Sequence, residues 1–299
     1  MEKIQKIEYR LRGYESFILR EGWITKGIMA VNNQHDVFST RGSGADVLGV
    51  GANMAKAIRY WLRAAGLTKD MPRGGVELTE LGQLVLDNDL YIEDVFTLWI
   101  IHANIARNVK LATSWNLFFN EIPVSSFKRD ELYSMMKERV EAYTGRYDLP
   151  ERSIKDDCSA ILLMYAGFED EKNNKNTDPE NKNVSPFSAL GLIKRIGTDN
   201  YERTRPSRDS IDPLVLYYMI ADRLNKEGSL QIDEIADGDD MPGKILYLNR
   251  LATNDILDAL SDNDYIALNR TAGLDIVYPQ NRISSIEVIK THYEAETKA

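Results

Sequence analysis

The chain has 299 residues, of which 43% are hydrophobic, and a formal net charge of −9. This length predicts two or three domains, and the acidic balance excludes a protein that coats nucleic acid by charge alone. The single cysteine, Cys158, excludes an intramolecular disulfide and a zinc site built from cysteines. No apolar run has the length of a membrane span, and residues 1–12 lack a signal-peptide core, so we expect a soluble, cytoplasmic protein without membrane contact.

The first predicted unit consists of three helices and a hairpin. Apolar spacing predicts helices at 22–31, 45–50 and 53–65. Asn53 would cap the third helix, and Gly66 can end it because glycine adopts positive φ without strain. Residues 67–79 then indicate two short strands around a tight turn. This order is typical of a winged helix-turn-helix, a DNA-binding fold.

The helix predicted at 53–65 has two different sides. The apolar side carries Met54, Ile58, Leu62 and Ala65. The other side carries Lys56, Arg59, Tyr60 and Arg63. Residues 41–75 hold six basic residues against two acidic ones, a local net charge of +4 in an acidic chain. Such clustering is typical of a surface that neutralises phosphates.

We predict that this surface binds duplex DNA. Base reading needs Arg or Asn on a helix that enters a groove, and the candidates are Asn53, Arg59 and Arg63. The candidates for phosphate contacts are Arg41, Lys56, Lys69 and Arg73, with Tyr60 on the same side. Two alternatives stay open. In the first, the basic side is only a solvated helix surface, since Lys and Arg are good helix formers. In the second, it is a face that docks another protein.

The rest of the chain predicts further helices and a second unit. Helices are expected at 92–106, 127–143 and 153–167, with Ser153 as the cap of the last, and 114–123 is expected to be a helix or a turn. Residues 169–183 contain no apolar side chain and mark a polar linker. A helix at 212–228, a short helix at 229–238, a third helix at 248–265 and a hairpin at 265–279 repeat the order of the first unit. The sequence therefore predicts a mainly α-helical protein with small β hairpins and two winged helix-turn-helix units, in an N-terminal domain with a helical extension (1–168) and a C-terminal domain (184–299).

No residue pattern indicates catalysis, a metal or a cofactor, so an enzyme is not expected. The run GSGADVLGVG is similar to a phosphate-binding loop, but Val50 stands where that motif requires lysine. His35, His102 and His292 are far apart in sequence, and His102 is expected to be a hydrogen-bonded core residue. Cys158 is expected in a buried helix, where it behaves as a small hydrophobic side chain.

Several stretches resemble a known family. They are GYESFILREGWITKG (13–27), FSTRGSGADVLGVGANMAKAIRYWLRAAGL (38–67), and the later SWNLFFN, SIKDDCSAILLMYAG and SPFSALGLI. The residues of these stretches and their order along the chain resemble the uncharacterised bacterial family named domain of unknown function four-thousand-and-seven. The family's opening motif is Gly-His-Glu-Thr-Phe, whereas this chain has Tyr14 and Ser16 at the second and fourth positions. It therefore lacks the histidine that a metal or catalytic site in this motif would use.

The resemblance implies the kind of gene cluster in which the protein acts more than any reaction that it carries out. Members look like accessory proteins encoded beside sulfurtransferases of the phosphoadenosine-phosphosulfate-reductase type, in DNA phosphorothioation and phage-defence gene clusters. We therefore expect an accessory protein of such a system that binds double-stranded DNA through helix 53–65 and hairpin 67–79. The alternative is an adaptor that docks a sulfurtransferase or nuclease through its acidic C-terminal domain, where residues 229–264 carry nine acidic and two basic side chains, a net charge of −7.

Overall fold

The computed structural model describes residues 7–39, 44–72, 74–167, 184–207, 210–271 and 274–297. Within these ranges the chain is mainly helical and contains three small antiparallel sheets. The predicted helical fold with small hairpins is therefore confirmed. Arg41, Arg73 and the polar segment 169–183 lie outside the described residues.

The first unit contains the three helices and the hairpin that the sequence predicts. Its elements are α1 (Trp23–Asn33), α2 (Gly44–Leu48), α3 (Ala52–Ala64), β1 (Thr68–Asp70) and β2 (Val76–Leu78). Gly66 follows α3 with a φ of 73°, as expected for a residue that ends a helix. The prediction that Asn53 caps α3 is wrong. Gly51, which is also favourable at this position, is the N-cap, and Asn53 lies inside the first turn.

The apolar side of α3 packs against α1. Ile58 and Leu62 are buried, and Met54 is half-buried. Gly27 of α1 permits the close approach, because a Cβ there would lie 2.5 Å from Cδ1 of Leu62. This packing leaves the basic side of α3 facing away from α1.

A helical layer follows the hairpin. Its elements are α4 (Glu80–Asn88), α5 (Val95–Ala106), α6 (Thr113–Glu121), β3 (Ser126–Lys128), α7 (Arg129–Thr144), α8 (Glu151–Ala166), a 3-10 helix (Pro186–Leu190), β4 (Ile193–Arg195) and β5 (Asn200–Arg203). The predicted cap at Ser153 is wrong. Helix α8 begins two residues earlier with Pro150 at the N-cap, where the fixed φ of proline suits a helix start.

Helix α5 is a core helix, since ten of its twelve residues are buried. His102 on this helix is fully buried, with Nδ1 2.8 Å from the Tyr165 hydroxyl and Nε2 2.9 Å from the carbonyl oxygen of Ile245. Because a carbonyl only accepts, Nε2 carries the proton and Nδ1 accepts from Tyr165. Burial lowers the pKa of His102 to about 4, so the ring is neutral. The predicted core role of His102 is confirmed.

A three-stranded sheet pairs residues from either side of the polar segment. Strand β5 lies between β3 and β4, with Phe127 opposite Tyr201 and Arg195 also opposite Tyr201. The division of the chain at 169–183 stays a prediction. The sheet shows that residues 200–203 pack with the part of the chain that precedes this segment.

The C-terminal unit is built from five helices and three strands. They are α9 (Pro213–Glu227), β6 (Leu230–Gln231), α10 (Ile232–Asp237), α11 (Pro242–Ile245), α12 (Arg250–Asp262), β7 (Ile266–Asn269), β8 (Ile276–Pro279) and α13 (Ser285–Glu296). The sheet has the order β6-β8-β7. Asp212 caps α9 by accepting from the amide of Leu214, as predicted.

His292 of α13 joins the starts of two other helices. Its Nε2 lies 2.7 Å from Oδ2 of Asp94, and its Nδ1 lies 2.8 Å from Oδ2 of Asp212. Each carboxylate uses its other oxygen to cap a helix, α5 in one case and α9 in the other. Burial opposes the charged ring, but the hydrogen bonds to Asp212 and Asp94 outweigh it and raise the pKa of His292 to about 9.

Candidate nucleic-acid interface

The loop at 10–17 lies beside α3 and has an unusual backbone. Arg12, Glu15 and Ser16 have φ values of 53°, 51° and 71°, in a region that side chains other than glycine seldom adopt. Tyr14 holds the loop in place, because it is fully buried with its ring centroid 5.5 Å from that of Trp61. Strained backbone of this kind persists only where the surrounding packing enforces it, and it concentrates at functional sites.

Gly13 brings this loop into direct contact with α3. A Cβ at this position would lie 2.4 Å from Cε2 of Tyr60 and 2.8 Å from Nε of Arg10. No larger residue fits without moving one of these side chains. The guanidinium carbon of Arg10 lies 5.9 Å from the centroid of the Tyr60 ring, within reach of a cation–π interaction. The packing at Gly13 therefore places a cation from the loop next to the basic side of α3.

Tyr60 belongs to the wall of the site. It is buried, and its hydroxyl donates a 2.8 Å hydrogen bond to the carbonyl oxygen of Leu111. Burial raises the pKa of Tyr60, so the hydroxyl stays protonated. Its donor is used within the fold, and only the ring is left to contact a ligand.

Three predicted cations of α3 form an exposed stripe with Asn53. The ammonium group of Lys56 donates to Oδ1 of Asn53 at 3.2 Å. Arg59 and Arg63 follow at helical spacing, and each lies 2.9 Å from one oxygen of the Asp70 carboxylate. Asp70 lies on β1, so the hairpin neutralises part of the charge that the sequence assigns to the helix.

Lys69, predicted near the tip of the hairpin, is exposed on β1. Its ammonium group lies 3.1 Å from Oε1 of Glu77 on the paired strand. Lys69 thus also has an acidic partner. Arg41 and Arg73, the other two predicted phosphate contacts, are outside the described residues. The structure brings Asn53, Lys56, Arg59, Tyr60 and Arg63 together on one surface.

A pocket of about 530 Å³ lies between α3, α2 and the loop at 10–17. Four cations line it: Arg10, Lys56, Arg59 and Arg63. One acidic residue, Glu15, is among the described residues that line it. Its apolar lining includes Val37, Phe38, Ala55, Tyr60 and Leu111. An apolar interior with several cations is suited to a ligand that carries both a negative charge and a flat or apolar group.

Most residues that line this pocket are absent from the site predicted from the sequence, among them Arg10, Glu15 and Phe38. Arg10 and Glu15 come from the loop before α1, and Phe38 comes from the connection between α1 and α2. The glycine of GYESF was a usable signal, because glycine is the residue that permits the close approach of the backbone to another group. Nothing in the local pattern could show which helix the loop approaches.

The remaining candidates for chemistry are structural. Cys158 is buried, and burial raises the pKa of its thiol, as expected for an inert core cysteine. Burial also raises the pKa of Asp157 to about 6, against the hydrogen bond from Ser114. In the part of the chain that the structure describes, no group of three or more His, Cys, Asp or Glu side chains is arranged to hold a metal ion. No helix in the described ranges has the length and apolarity needed to cross a bilayer.

Fold and site together define a mainly helical protein with a cationic pocket against one helix of its first unit. The chain belongs to the family described as Protein of unknown function (DUF4007), whose model matches residues 11–293. The family resemblance expected from the sequence is confirmed. No curated protein matches the chain.

Two crystal structures have a similar fold. One is described as magnesium ion-bound SspB, with a TM-score of 0.82 and 23% identity over 95% of this chain and 88% of that one. The other is described as SspB, with a TM-score of 0.81 and 24% identity over the same shares of both chains. At this level of identity the likeness establishes the fold.

Proposed function

We propose that this protein is a DNA-binding accessory protein of a bacterial DNA-modification (phosphorothioation) or phage-defence system, acting in the cytoplasm. It contacts duplex DNA through α3 and the β1–β2 hairpin. The observation that carries the proposal is the meeting of Arg10, Lys56, Arg59 and Arg63 around one pocket in a chain of net charge −9. Such a local cluster neutralises phosphates even where the whole protein is acidic.

The order of elements supports a winged helix-turn-helix in the first unit. Helices α1, α2 and α3 precede the hairpin, and the amide of Val76 on β2 donates to the carbonyl oxygen of His35 at 2.8 Å. This bond adds a third chain segment beside the hairpin. In such a unit the last helix and the wing approach DNA together.

The geometry favours phosphate contacts over base reading. Seven of the thirteen residues of α3 are buried, so the helix offers a narrow stripe to a ligand. Arg59 and Arg63 already hold a carboxylate, and a phosphate can take the place of Asp70 because guanidinium groups bind both anions through paired hydrogen bonds. Asn53 at the start of the helix is the best-placed candidate for a base contact.

The test is fluorescence anisotropy of a labelled mixed-sequence DNA duplex at two salt concentrations. We expect the Arg59→Ala/Arg63→Ala variant to bind at least about tenfold more weakly. The slope of log affinity against log salt concentration should become shallower by about 0.9 for each phosphate contact that is removed. The matched control is Arg250→Ala/Arg270→Ala, which removes two paired arginines from the C-terminal unit. The control should bind like the wild type.

Each titration is run with magnesium and with a chelator, because one crystal structure of similar fold is described as magnesium ion-bound. Absence of wild-type binding at low salt under both conditions contradicts the proposal. Equal losses in the two double variants would mean that binding follows net charge and not this site.

A second candidate function is an adaptor that docks a sulfurtransferase of the phosphoadenosine-phosphosulfate-reductase type, or a nuclease, without direct DNA contact. It is favoured by α12, which is the last helix before a hairpin in its own unit but carries three aspartates, of which Asp258 is paired with Arg270. Asp255, Asp258 and Asp262 lie on this helix, and Leu251 at its start is 70% exposed. A groove-entering helix of that charge would be repelled by phosphates.

The two functions differ in co-purification from cells that express the whole gene cluster. The adaptor function predicts that a tagged chain retains the sulfurtransferase after nuclease treatment, and that Leu251→Glu abolishes the retention. Retention that depends on intact DNA would contradict a direct adaptor role and support the first proposal.

A further inference from the structure

We infer that the pocket between α3 and the loop at 10–17 holds a single unpaired nucleotide of a DNA strand, with the base inside and its phosphate at the cationic edge. This inference rests on the proposed function and deepens it, because it names the part of DNA that the pocket takes. The argument uses the pocket's size, its lining and the placement of its charges.

The size of the pocket fits one nucleotide and not a duplex. Pockets of about 300–1,000 Å³ are typical for small ligands, and this pocket has a volume of about 530 Å³. A DNA duplex is too wide to enter this pocket, because its major groove alone is about 12 Å wide and accommodates a whole helix. A duplex would therefore lie across the mouth of the pocket. A nucleotide turned out of the base stack can enter, as it does in proteins that flip bases.

The buried part of the lining suits a base. Val37, Ala55 and Tyr60 are buried, and Phe38 and Leu111 are half-buried beside them. An aromatic ring that is only half-covered, such as Phe38, leaves a face for stacking. Base–aromatic stacking is tolerant of base identity because every base has a flat face.

The exposed part of the lining suits a phosphate. Arg10, Lys56 and Arg63 are exposed, and Arg59 has a side-chain exposure of 36%. These cations come from both sides of the pocket, since Arg10 lies on the loop and the others lie on α3. A phosphate between them would accept hydrogen bonds from the loop and from α3. The carboxylate of Asp70 has ion pairs with Arg59 and Arg63 of α3. The occupant of best charge complementarity is therefore a group with a planar apolar part and a phosphate.

The experiment compares two duplexes of the same sequence that carry 2-aminopurine. In one duplex the fluorescent base is fully paired, and in the other it lies in a one-nucleotide bulge. We expect the wild type to bind the bulged duplex at least about fivefold more tightly, which is the low end of the effect of stacking one base. We also expect the fluorescence of the bulged base to change on binding.

Two variants localise the effect. Phe38→Leu keeps an apolar side chain but removes the ring, and it should weaken binding of the bulged duplex more than binding of the paired duplex, so that the ratio of the two affinities falls towards one. Arg59→Ala/Arg63→Ala should weaken binding of both duplexes. Thermal unfolding of each variant, compared with the wild type, checks that the pocket is intact. Phe38→Ala repeats the test with a smaller side chain.

The outcomes separate this inference from the proposed function. Equal wild-type affinity for bulged and paired duplexes overturns the nucleotide pocket and leaves duplex binding in place. Absence of binding to either duplex overturns both. Free deoxynucleoside monophosphates are titrated as a third arm. If they compete at concentrations similar to the bulged duplex, the pocket takes free nucleotides and the assignment to a DNA strand is overturned.

Discussion

Asp70 limits the charge that α3 can present to DNA, because its single carboxylate is shared by two arginines. Both distances are 2.9 Å, and the Asp70 side chain is 37% exposed. An incoming phosphate must displace this carboxylate. The strength of DNA binding therefore depends on how much more tightly Arg59 and Arg63 bind a DNA phosphate than the carboxylate of Asp70.

Removing the charge of Asp70 should strengthen DNA binding. Asp70→Asn keeps the size of the side chain but releases both guanidinium groups, and we expect affinity to rise by about fivefold, since an exposed ion pair contributes up to about 1 kcal/mol. Anisotropy with the labelled duplex measures the change. Asp148→Asn is the matched control, because it also removes a carboxylate bound to an arginine, Arg146. A rise of the same size in both variants would attribute the effect to net charge.

Gly13 offers a second test at the scale of one residue. Gly13→Ala places a methyl group against Tyr60 and Arg10, and we expect a loss of about 1–3 kcal/mol in the free energy of unfolding, as for overpacked cores. Urea denaturation measures the loss. Gly75→Ala is the control, because Gly75 has no positive φ and a Cβ there would lie 3.4 Å from its nearest neighbour, Sδ of Met71, an ordinary contact distance. A comparable loss in the control would indicate a general glycine effect and not a clash.

At the scale of single residues the sequence predicted some of the site and missed the rest. The spacing of Lys56, Arg59 and Arg63 placed them on one side of a helix, which local geometry alone determines. The burial of Tyr60 and the pairing with Asp70 depend on which loop and strand lie next to α3. Those contacts join positions far apart in the sequence, so no local pattern could reveal them.

At the scale of elements, α13 is tied to α5 and α9 through one protonated histidine. The pKa of His292 is raised to about 9 in the folded protein, above the ordinary value of 6.5. The folded protein therefore holds the proton more tightly than the unfolded chain does. The resulting stabilisation is complete below pH 6.5 and is lost as the pH rises through 9.

The prediction is a fall of the thermal midpoint as the pH rises through 9, and a flatter profile in His292→Gln. Glutamine can still bond one carboxylate, but it has no proton to release. Differential scanning fluorimetry across this range measures both profiles. His35→Gln serves as the control because His35 is exposed and its Nδ1 lies 3.3 Å from a carbonyl oxygen, that of Val76, and not between two carboxylates. A parallel fall in wild type and His292→Gln would show that other groups cause it.

Helices were the elements that the sequence predicted best. The long apolar run of α5 and the Asp212–Pro213 start of α9 were readable because the signals are local. Two predicted N-caps were wrong, Asn53 and Ser153, because the caps are Gly51, two residues before Asn53, and Pro150, three residues before Ser153. Side chains that can cap a helix also occur inside the first turn, so the residue type alone does not fix the start.

At the scale of the whole molecule, the parts before and after 169–183 share hydrogen bonds and core. The indole Nε1 of Trp99 donates to the carbonyl oxygen of Ser210 at 2.9 Å, and the hydroxyls of Thr97 and Tyr293 are 2.6 Å apart. Sheet pairing between Phe127 and Tyr201 adds a third link. Composition alone distinguishes the polar segment 169–183 from its surroundings, and it carries no information about pairing between the two parts of the chain.

These links predict the behaviour of a split chain. Residues 1–176 and 177–299, expressed as separate polypeptides in one cell, should assemble and elute together at the size of the intact 34.0 kDa chain. Each fragment expressed alone should aggregate, because it exposes the core surface that its counterpart covers. Size-exclusion chromatography after co-expression tests this. Two monodisperse fragments that do not bind each other would support independent domains at the predicted boundary.

The contact between Gly13 and Tyr60 also constrains how the family can diverge. Because there is no room for a Cβ beside the Tyr60 ring, position 13 cannot gain a side chain while Tyr60 is kept. A lineage that gains a side chain at position 13 must first carry a smaller residue at position 60, and the reverse order passes through an unstable intermediate. A side chain at position 13 should therefore be inherited together with a smaller residue at position 60, 47 positions further along the chain.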